Sequence, residues 1–371
     1  MNSASSKYLY LSTSMKLAVA SSIFLLLPSY LNAISIQFET SVYDLSYLAT
    51  VELFGFALAS IICYFLARFR TIKINEHFAI VVLASTHLAS AYCNDINLFL
   101  ALRAISGVAA GLILVLSYEA LSQEANPDLA FGKAIAFQML YSGFLFLCLP
   151  YLILDFGVDT FFFLLAGLSA CLLLLPKFSP LDPHSAEVFN LQKADLSTKL
   201  LGLAAVFMII LTHSGCWSML SVVGDKLQIL PTEQGQVLAV GTLFSLFGAV
   251  LASLASLSHY KKALTIVGLF SQGLVIVLLF TTENHLLYFI AVSLFMLFWN
   301  FLLPLFMGTI SESDHSGDII RLSVAAQTTG AALGPYVLLK GWVLSELVVF
   351  LAITLICIFP LLSHRNAVNA K

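Results

Sequence analysis

Twelve apolar stretches fill these 371 residues, and the only long polar segment inside the chain, Lys177 to Lys199, parts them into two groups of six. A hydrocarbon slab about 30 Å thick takes about 20 residues of helix to cross. Backbone polar groups in lipid find no water, so each spanning segment must satisfy its own, which makes helices the expected element. The first six spans are read near Leu17 to Ile36, Leu45 to Leu66, Phe78 to Cys93, Leu98 to Leu121, Ala130 to Leu154 and Thr160 to Leu175. The second six lie near Leu200 to Val223, Val237 to Leu257, Ala263 to Thr281, Leu286 to Met307, Leu322 to Leu339 and Val343 to Leu362. The expected fold is therefore an all-α polytopic membrane protein with a six-helix bundle over 1–176, a cytoplasmic connection over 177–199 and a second bundle over 200–371.

Composition agrees. Charged residues make up 10% of the chain, against about 25% in a soluble domain. A net charge of -3 without a basic patch argues against nucleic acid as a partner. The first stretch follows Lys7 and Lys16 as a signal peptide would, but its length and the eleven stretches after it make it the first span. The six cysteines fall in or at the ends of spans without metal-ligand spacing, and read as packing residues.

Charge matters here by position. With a cytoplasmic amino terminus, the inner connections and the two termini hold fourteen of the seventeen basic residues, including Arg68, Arg70, Lys73, Lys133, Lys261, Lys262 and Arg321. Only Lys226 and Lys340 fall outside, and Arg103 lies within span 4. Basic residues near short loops are retained on the cytoplasmic side, so both termini are expected there.

An internal repeat runs through the two groups. Leu53-Phe54-Gly55 and Leu58-Ala59-Ser60 of span 2 recur as Leu246-Phe247-Gly248 and Leu251-Ala252-Ser253 of span 8, and the same shift of 193 carries Arg68 onto Lys261. Chance matching in so apolar a chain competes with true repetition. Small residues at such positions allow close helix packing.

Two six-span halves, the long middle connection and basic residues after spans 2 and 8 resemble the major facilitator superfamily over essentially the whole chain. In span 4, Arg103, Gly107 and Gly111, four residues apart, look like that superfamily's signature, and span 11 contributes Gly330-Ala331-Ala332-Leu333-Gly334-Pro335. The pattern after span 2 departs from it, with Cys63, Ala67 and Arg70 at the expected Gly, Asp and Gly positions. Span 5 lacks the Gly-x-x-x-Gly-Pro of drug and proton antiporters, offering Gly143 and Pro150 instead. The resemblance implies two bundles with a solute cavity lined by spans 1, 4, 7 and 10, alternating access and no covalent chemistry.

Ionisable residues inside spans are costly and mark functional candidates. Glu52 in span 2 and Arg103 in span 4 lie at similar depth from the outer side, roughly 8 to 12 Å at 1.5 Å per residue. They read either as a proton or substrate-charge switch or as a permanent buried pair fixing two helices. His213 in span 7, with Ser214 and Trp217 alongside, reads as a proton carrier or as a satisfied neutral imidazole. His87 in span 3 reads as structural. Tyr30, Asn32, Gln138, Tyr141, Trp217, Trp299, Asn300, Gln327 and Thr328 read as pocket lining for a small amphipathic organic molecule, or one by one as interhelical hydrogen bonds. Arg68, Arg70, Lys261 and Lys262 are expected to anchor at lipid headgroups and to contribute to a cytoplasmic gate.

No HExxH, Walker A or nucleotide loop occurs, and the eight histidines are scattered, which argues against a membrane-embedded enzyme and against a cofactor. A receptor or scaffold is the remaining class. The expectation is a monomeric secondary transporter of a small organic solute in a cytoplasmic membrane, coupled to protons, with lipid as its surroundings. The antiporter-like span 4 favours export, and uptake of a metabolite or organic acid is the alternative.

Overall fold

The apolar stretches are helical in the computed structural model of the chain, which describes residues 3–69, 75–122, 127–176, 196–256, 258–313, 318–339 and 344–368. Among the described residues there is no strand. The first span is built from three pieces, α1 (Ser3–Ala20), α2 (Ser22–Leu25) and α3 (Leu27–Gln37). Then come α4 (Val42–Phe69), α5 (Glu76–Ala91), α6 (Ile96–Ser122), α7 (Pro127–Phe156) and α8 (Thr160–Cys171), the last extended by a 3-10 turn over Leu172–Leu174. The second set is α9 (Leu196–Lys226), α10 (Pro231–Ser256), α11 (Lys261–Thr281), α12 (His285–Ser313), α13 (Asp318–Leu339) and α14 (Leu344–Val368). Among the described residues each span read from the sequence overlaps a helix, span 3 running two residues past the end of α5. The connection expected over 177–199 lies outside the described residues as far as 195, and α9 begins at Leu196, before the expected start of span 7.

Span 1 corrects the expectation of a single continuous helix from Leu17 to Ile36. Pro28 has no N–H to offer the carbonyl one turn back, and its ring crowds that carbonyl, so the helix is interrupted at Leu26. At the other break, the Ser21 hydroxyl donates to the Leu17 carbonyl at 2.6 Å and the Ser22 hydroxyl to the Val19 carbonyl at 2.7 Å. Such local bonds compete with the helical ladder. Side chains of α7 then hold the broken segment. Gln138 Nε2 donates to Ser21 Oγ at 2.9 Å, and the Tyr141 hydroxyl lies 2.7 Å from that of Ser22.

Helix contacts divide the chain into two compact units, Met1–Leu181 and Asp182–Lys371. Each pairs its spans in the same order. In the first unit α1 packs on α7, α4 on α6 and α5 on α8; in the second α9 packs on α13, α10 on α12 and α11 on α14. Contacts of first with fifth, second with fourth and third with sixth span thus occur in both units, alongside α1 on α6, α11 on α12 and α14 on α9, so the repeat seen in span 2 and span 8 extends to packing.

Glycine sets the closest of these approaches. A Cβ on Gly107 of α6 would lie 2.1 Å from the Glu52 carbonyl oxygen of α4, and one on Gly111 2.6 Å from Ala59 Cβ. Gly55 of α4 faces Gly107 in return, where a Cβ would meet its carbonyl carbon at 2.7 Å. In the second unit Gly334 of α13 sits against the Leu211 carbonyl and the Gly215 amide of α9, each 2.6 Å from where its Cβ would be. Backbones this near leave no room for a methyl group, which is how helices without a hydrophobic drive between them gain contact in lipid.

Candidate functional site: a buried charge cluster and an aromatic histidine cluster

The small residues of α4 and α6 bring Glu52 and Arg103 together in the interior of the first unit. Both are buried completely. Arg103 Nη1 lies 3.4 Å from Glu52 Oε1 and 3.5 Å from Oε2. These are long contacts for a charged pair, whose bonds usually run at about 2.7–2.9 Å. The short bond to Glu52 comes from the Ser106 hydroxyl, 2.8 Å from Oε1.

Arg103 makes most of its bonds to α5. Its Nη2 donates to the Thr86 carbonyl at 3.1 Å and to the Ser90 hydroxyl, and its Nη1 donates to His87 Nδ1 at 3.3 Å. A guanidinium has four terminal hydrogens and no acceptor. Three of the four therefore end on α5, and one is shared by the two oxygens of Glu52. Phe99 of α6 and Phe162 of α8 put their rings 5.3 and 5.2 Å from the guanidinium carbon, adding cation–π attraction. Tyr30 of α3 packs its ring on Phe161 and Phe162 at 6.1 and 6.3 Å, and its buried hydroxyl has no hydrogen-bond partner among the described residues.

His87 thus stands inside the cluster, together with Thr86, Ser90 and Ser106, which sequence reasoning did not join to it. A signal was available: Thr86, His87 and Ser90 recur at helical spacing as one polar face in an otherwise apolar span.

The second unit holds a different arrangement. His213 of α9 is fully buried, with its ring stacked on Trp299 of α12 at 4.9 Å and edge-on to Phe295 at 5.8 Å. Neither ring nitrogen has a hydrogen-bond partner among the described residues. Trp217 meets Trp299 edge-on at 6.4 Å. Ser214 does not serve His213; its hydroxyl donates to the Ala331 carbonyl of α13 at 2.7 Å. The shift of 193 that relates the halves carries Glu52 onto Ser245, whose hydroxyl accepts from Asn300 Nδ2. The position that corresponds to Glu52 is thus neutral in the second unit, and the same shift carries Arg103 onto Met296, so the charged pair has no counterpart there.

The remaining candidates are dispersed. Gln138 and Tyr141 brace the breaks of span 1, as above, and Asn32 is half-buried on α3. Gln327 donates to the Met307 sulfur at 3.5 Å, and the Thr328 hydroxyl donates to the Ala325 carbonyl within its own helix at 3.2 Å. Lys261 is buried beside Gly308 of α12, and Lys262 lies 4.6 Å over the Phe359 ring of α14. Arg70 and the side chain of Arg68 lie outside the described residues.

A cationic contact absent from the sequence reading sits at the other end of the first unit. Lys16, expected ahead of the first span, is buried inside α1, where it pairs with Glu76 at the start of α5 and donates to the Pro176 carbonyl at 2.5 Å. The Ser12 hydroxyl reaches the same carbonyl at 3.3 Å.

Among the described residues no cluster of three or more His, Cys, Asp or Glu side chains is placed to hold a metal. A family model described as Major Facilitator Superfamily matches residues 11–335. No curated protein matches the chain. Among solved structures it is similar to the nucleoside transporter NupG, at 12% identity and a TM-score of 0.66 over 96% of this chain and 98% of that one. It is similar also to the human organic anion transporter MFSD10 (15%, 0.63, 96% and 98%). The xylose transporter XylE from E. coli gives 13% identity and 0.67, over 94% of each chain. At these identities the likeness is one of fold.

Proposed function

The chain belongs to the major facilitator superfamily, and from that premise we propose that it exports a small organic solute across a cytoplasmic membrane in exchange for protons, with both termini on the cytoplasmic side. The family makes it a transporter of small solutes and not an enzyme. Direction, coupling and the roles of individual residues are the substance of the proposal.

One observation carries the coupling. Glu52 is a fully buried carboxylate tied to its cation through a single shared N–H, while the other three terminal hydrogens of that cation are committed to α5. A carboxylate in hydrocarbon is expensive, and taking up a proton removes that cost. When Glu52 is neutral, Arg103 retains Thr86, His87, Ser90 and two aromatic faces. The charge on one side of the pair can therefore change without stranding the other, as a group that takes up and gives up protons requires.

The solute contact is assigned to His213, Trp217, Phe295 and Trp299 of the second unit. They supply a large apolar surface with one placed polar group whose hydrogen-bonding capacity is unspent. Export draws its support from the antiporter-like Arg103, Gly107 and Gly111 of α6.

Inverted vesicles, offered a panel of metabolites and drugs with and without a pH gradient, test the reading. Accumulation that depends on the gradient in the wild type and not in Glu52→Gln, with solute binding retained in both, is the expected result. Accumulation in right-side-out vesicles instead would reverse the direction, and gradient dependence that survives in Glu52→Gln would remove Glu52 from the coupling.

A further inference from the structure

Arg103 has one nitrogen, Nη1, that faces two ways. On one side are the Glu52 oxygens at 3.4 and 3.5 Å, and on the other is His87 Nδ1 at 3.3 Å. Arginine has no acceptor, so the Nδ1 that takes its hydrogen must be unprotonated. His87 is then the neutral imidazole carrying its proton on Nε2. A second cation at this place would have lost the bond and would face Arg103 within van der Waals range.

We infer that His87 is a positioning residue that limits the grip of Arg103 on Glu52, by holding Nη1 from the opposite side as a neutral acceptor, and so sets the pH at which Glu52 exchanges its proton. The inference rests on the reading of Glu52 as the coupling group. The geometry supports it, since Nη1 is shared between the histidine and the carboxylate at similar distances, and the carboxylate depends on Ser106 for its one short bond. Three neutral acceptors on α5 hold the guanidinium back from α4.

Few other groups face this set. From α4 there is Glu52 itself, from α5 His87, and from α3 the Tyr30 hydroxyl within electrostatic range of both charges. On α6 the neighbours are Ser106 and Phe99, and on α8 Phe162, none of which titrates. Among the described residues no other titratable side chain bonds to Glu52, Arg103 or His87. Removing the acceptor at Nδ1 leaves Nη1 with Glu52 alone, which strengthens the carboxylate form.

The experiment follows Glu52 directly, without transport. pH-difference infrared spectra of the purified protein in lipid show the carbonyl band of a protonated carboxylic acid, assigned to Glu52 by its loss in Glu52→Gln. In His87→Leu the midpoint of that band is expected to fall by about one pH unit, tenfold in proton concentration. His87→Asn, whose side-chain oxygen stands near the place of Nδ1, is expected to restore the wild-type midpoint. Nitrogen NMR of histidine-labelled protein, with the His87 signal assigned by its absence in His87→Asn, should show the Nε2–H tautomer.

An unchanged midpoint in folded His87→Leu, an equal shift in the leucine and asparagine variants, or a proton found on Nδ1 would each overturn the inference. The absence of any titrating Glu52 band would do so as well. Failure of the coupling reading has a different signature: Glu52 titrates and responds to His87, yet transport ignores the pH gradient. Should His87→Leu not fold, the asparagine variant compared with His87→Gln carries the same test, because only asparagine keeps an acceptor at the Nδ1 position.

Discussion

Glu52 and Arg103 illustrate how one residue type can be assigned opposite roles by its bonds. A buried ion pair that only fixes two helices is replaceable by a neutral pair of similar size. The coupling role is not. Arg103→Ala leaves Glu52 buried without a cation and is expected to cost about 3–5 kcal/mol of stability in detergent, read as a lowered midpoint of thermal unfolding. The double variant Glu52→Gln with Arg103→Gln is expected to recover stability and to lack gradient-driven transport. If gradient-driven transport returns with stability, the pair is structural and His213 becomes the proton carrier to examine. At the proposed solute site, Trp299→Ala removes the surface on which His213 stacks. Solute affinity measured in proteoliposomes should fall about tenfold, near 1.4 kcal/mol, while expression is retained; unchanged affinity would place the solute elsewhere.

Between elements, the glycines of the α6 signature act through packing. Gly107 lets α6 approach the backbone of α4 at Glu52, and the side chains of Arg103 and Ser106 meet the Glu52 carboxylate because that approach is close. A methyl group at 107 would have to push the helices apart. Gly107→Ala is therefore expected to destabilise the first unit by about 1–3 kcal/mol and to weaken gradient-driven transport, because the charge cluster opens with it. Normal stability and transport in this variant would mean that the approach is not as tight as it stands. Gly132 has nothing within reach of an added Cβ, so Gly132→Ala serves as the tolerant comparison. The broken first span follows the same logic of local chemistry, since Pro28 lacks the N–H the ladder needs, the Ser21 and Ser22 hydroxyls bond to carbonyls of the preceding turn, and α7 braces the segment.

Over the whole molecule, the distribution of Lys and Arg predicts orientation. Reporters active only outside the cytoplasm, fused to each terminus, should be silent at both. Activity at either end would overturn this topology and with it the assignment of sides on which export rests. Both units pair first span with fifth, second with fourth and third with sixth, yet their interiors have diverged: one contains the charged cluster, the other the aromatic histidine cluster and the Ser245–Asn300 pair. The proposed function assigns proton and solute to different units, so variants at Glu52 and at Trp299 should separate coupling from affinity.

The helical class and the number of spans were legible in the sequence, because an apolar stretch of about 20 residues has one low-cost backbone solution in lipid. Glu52 and Arg103 were legible for a related reason, as charges in spans are rare enough to stand out and helical rise puts them at similar depth. Tertiary structure alone decided their company. Whether Arg103 turns toward α4 or α5 depends on the rotation of three helices about their axes and on the glycine contact that fixes them, neither of which hydropathy encodes. The partners of His87 and Lys16 went unread for that reason: one was read as structural and the other as a cation of the amino terminus, and packing buries both against residues distant in sequence. Apolar patterning specifies that a helix forms and which solvent it accepts, but the interior of a bundle is settled by close contacts between faces that are all apolar, where a few small and polar residues choose the match.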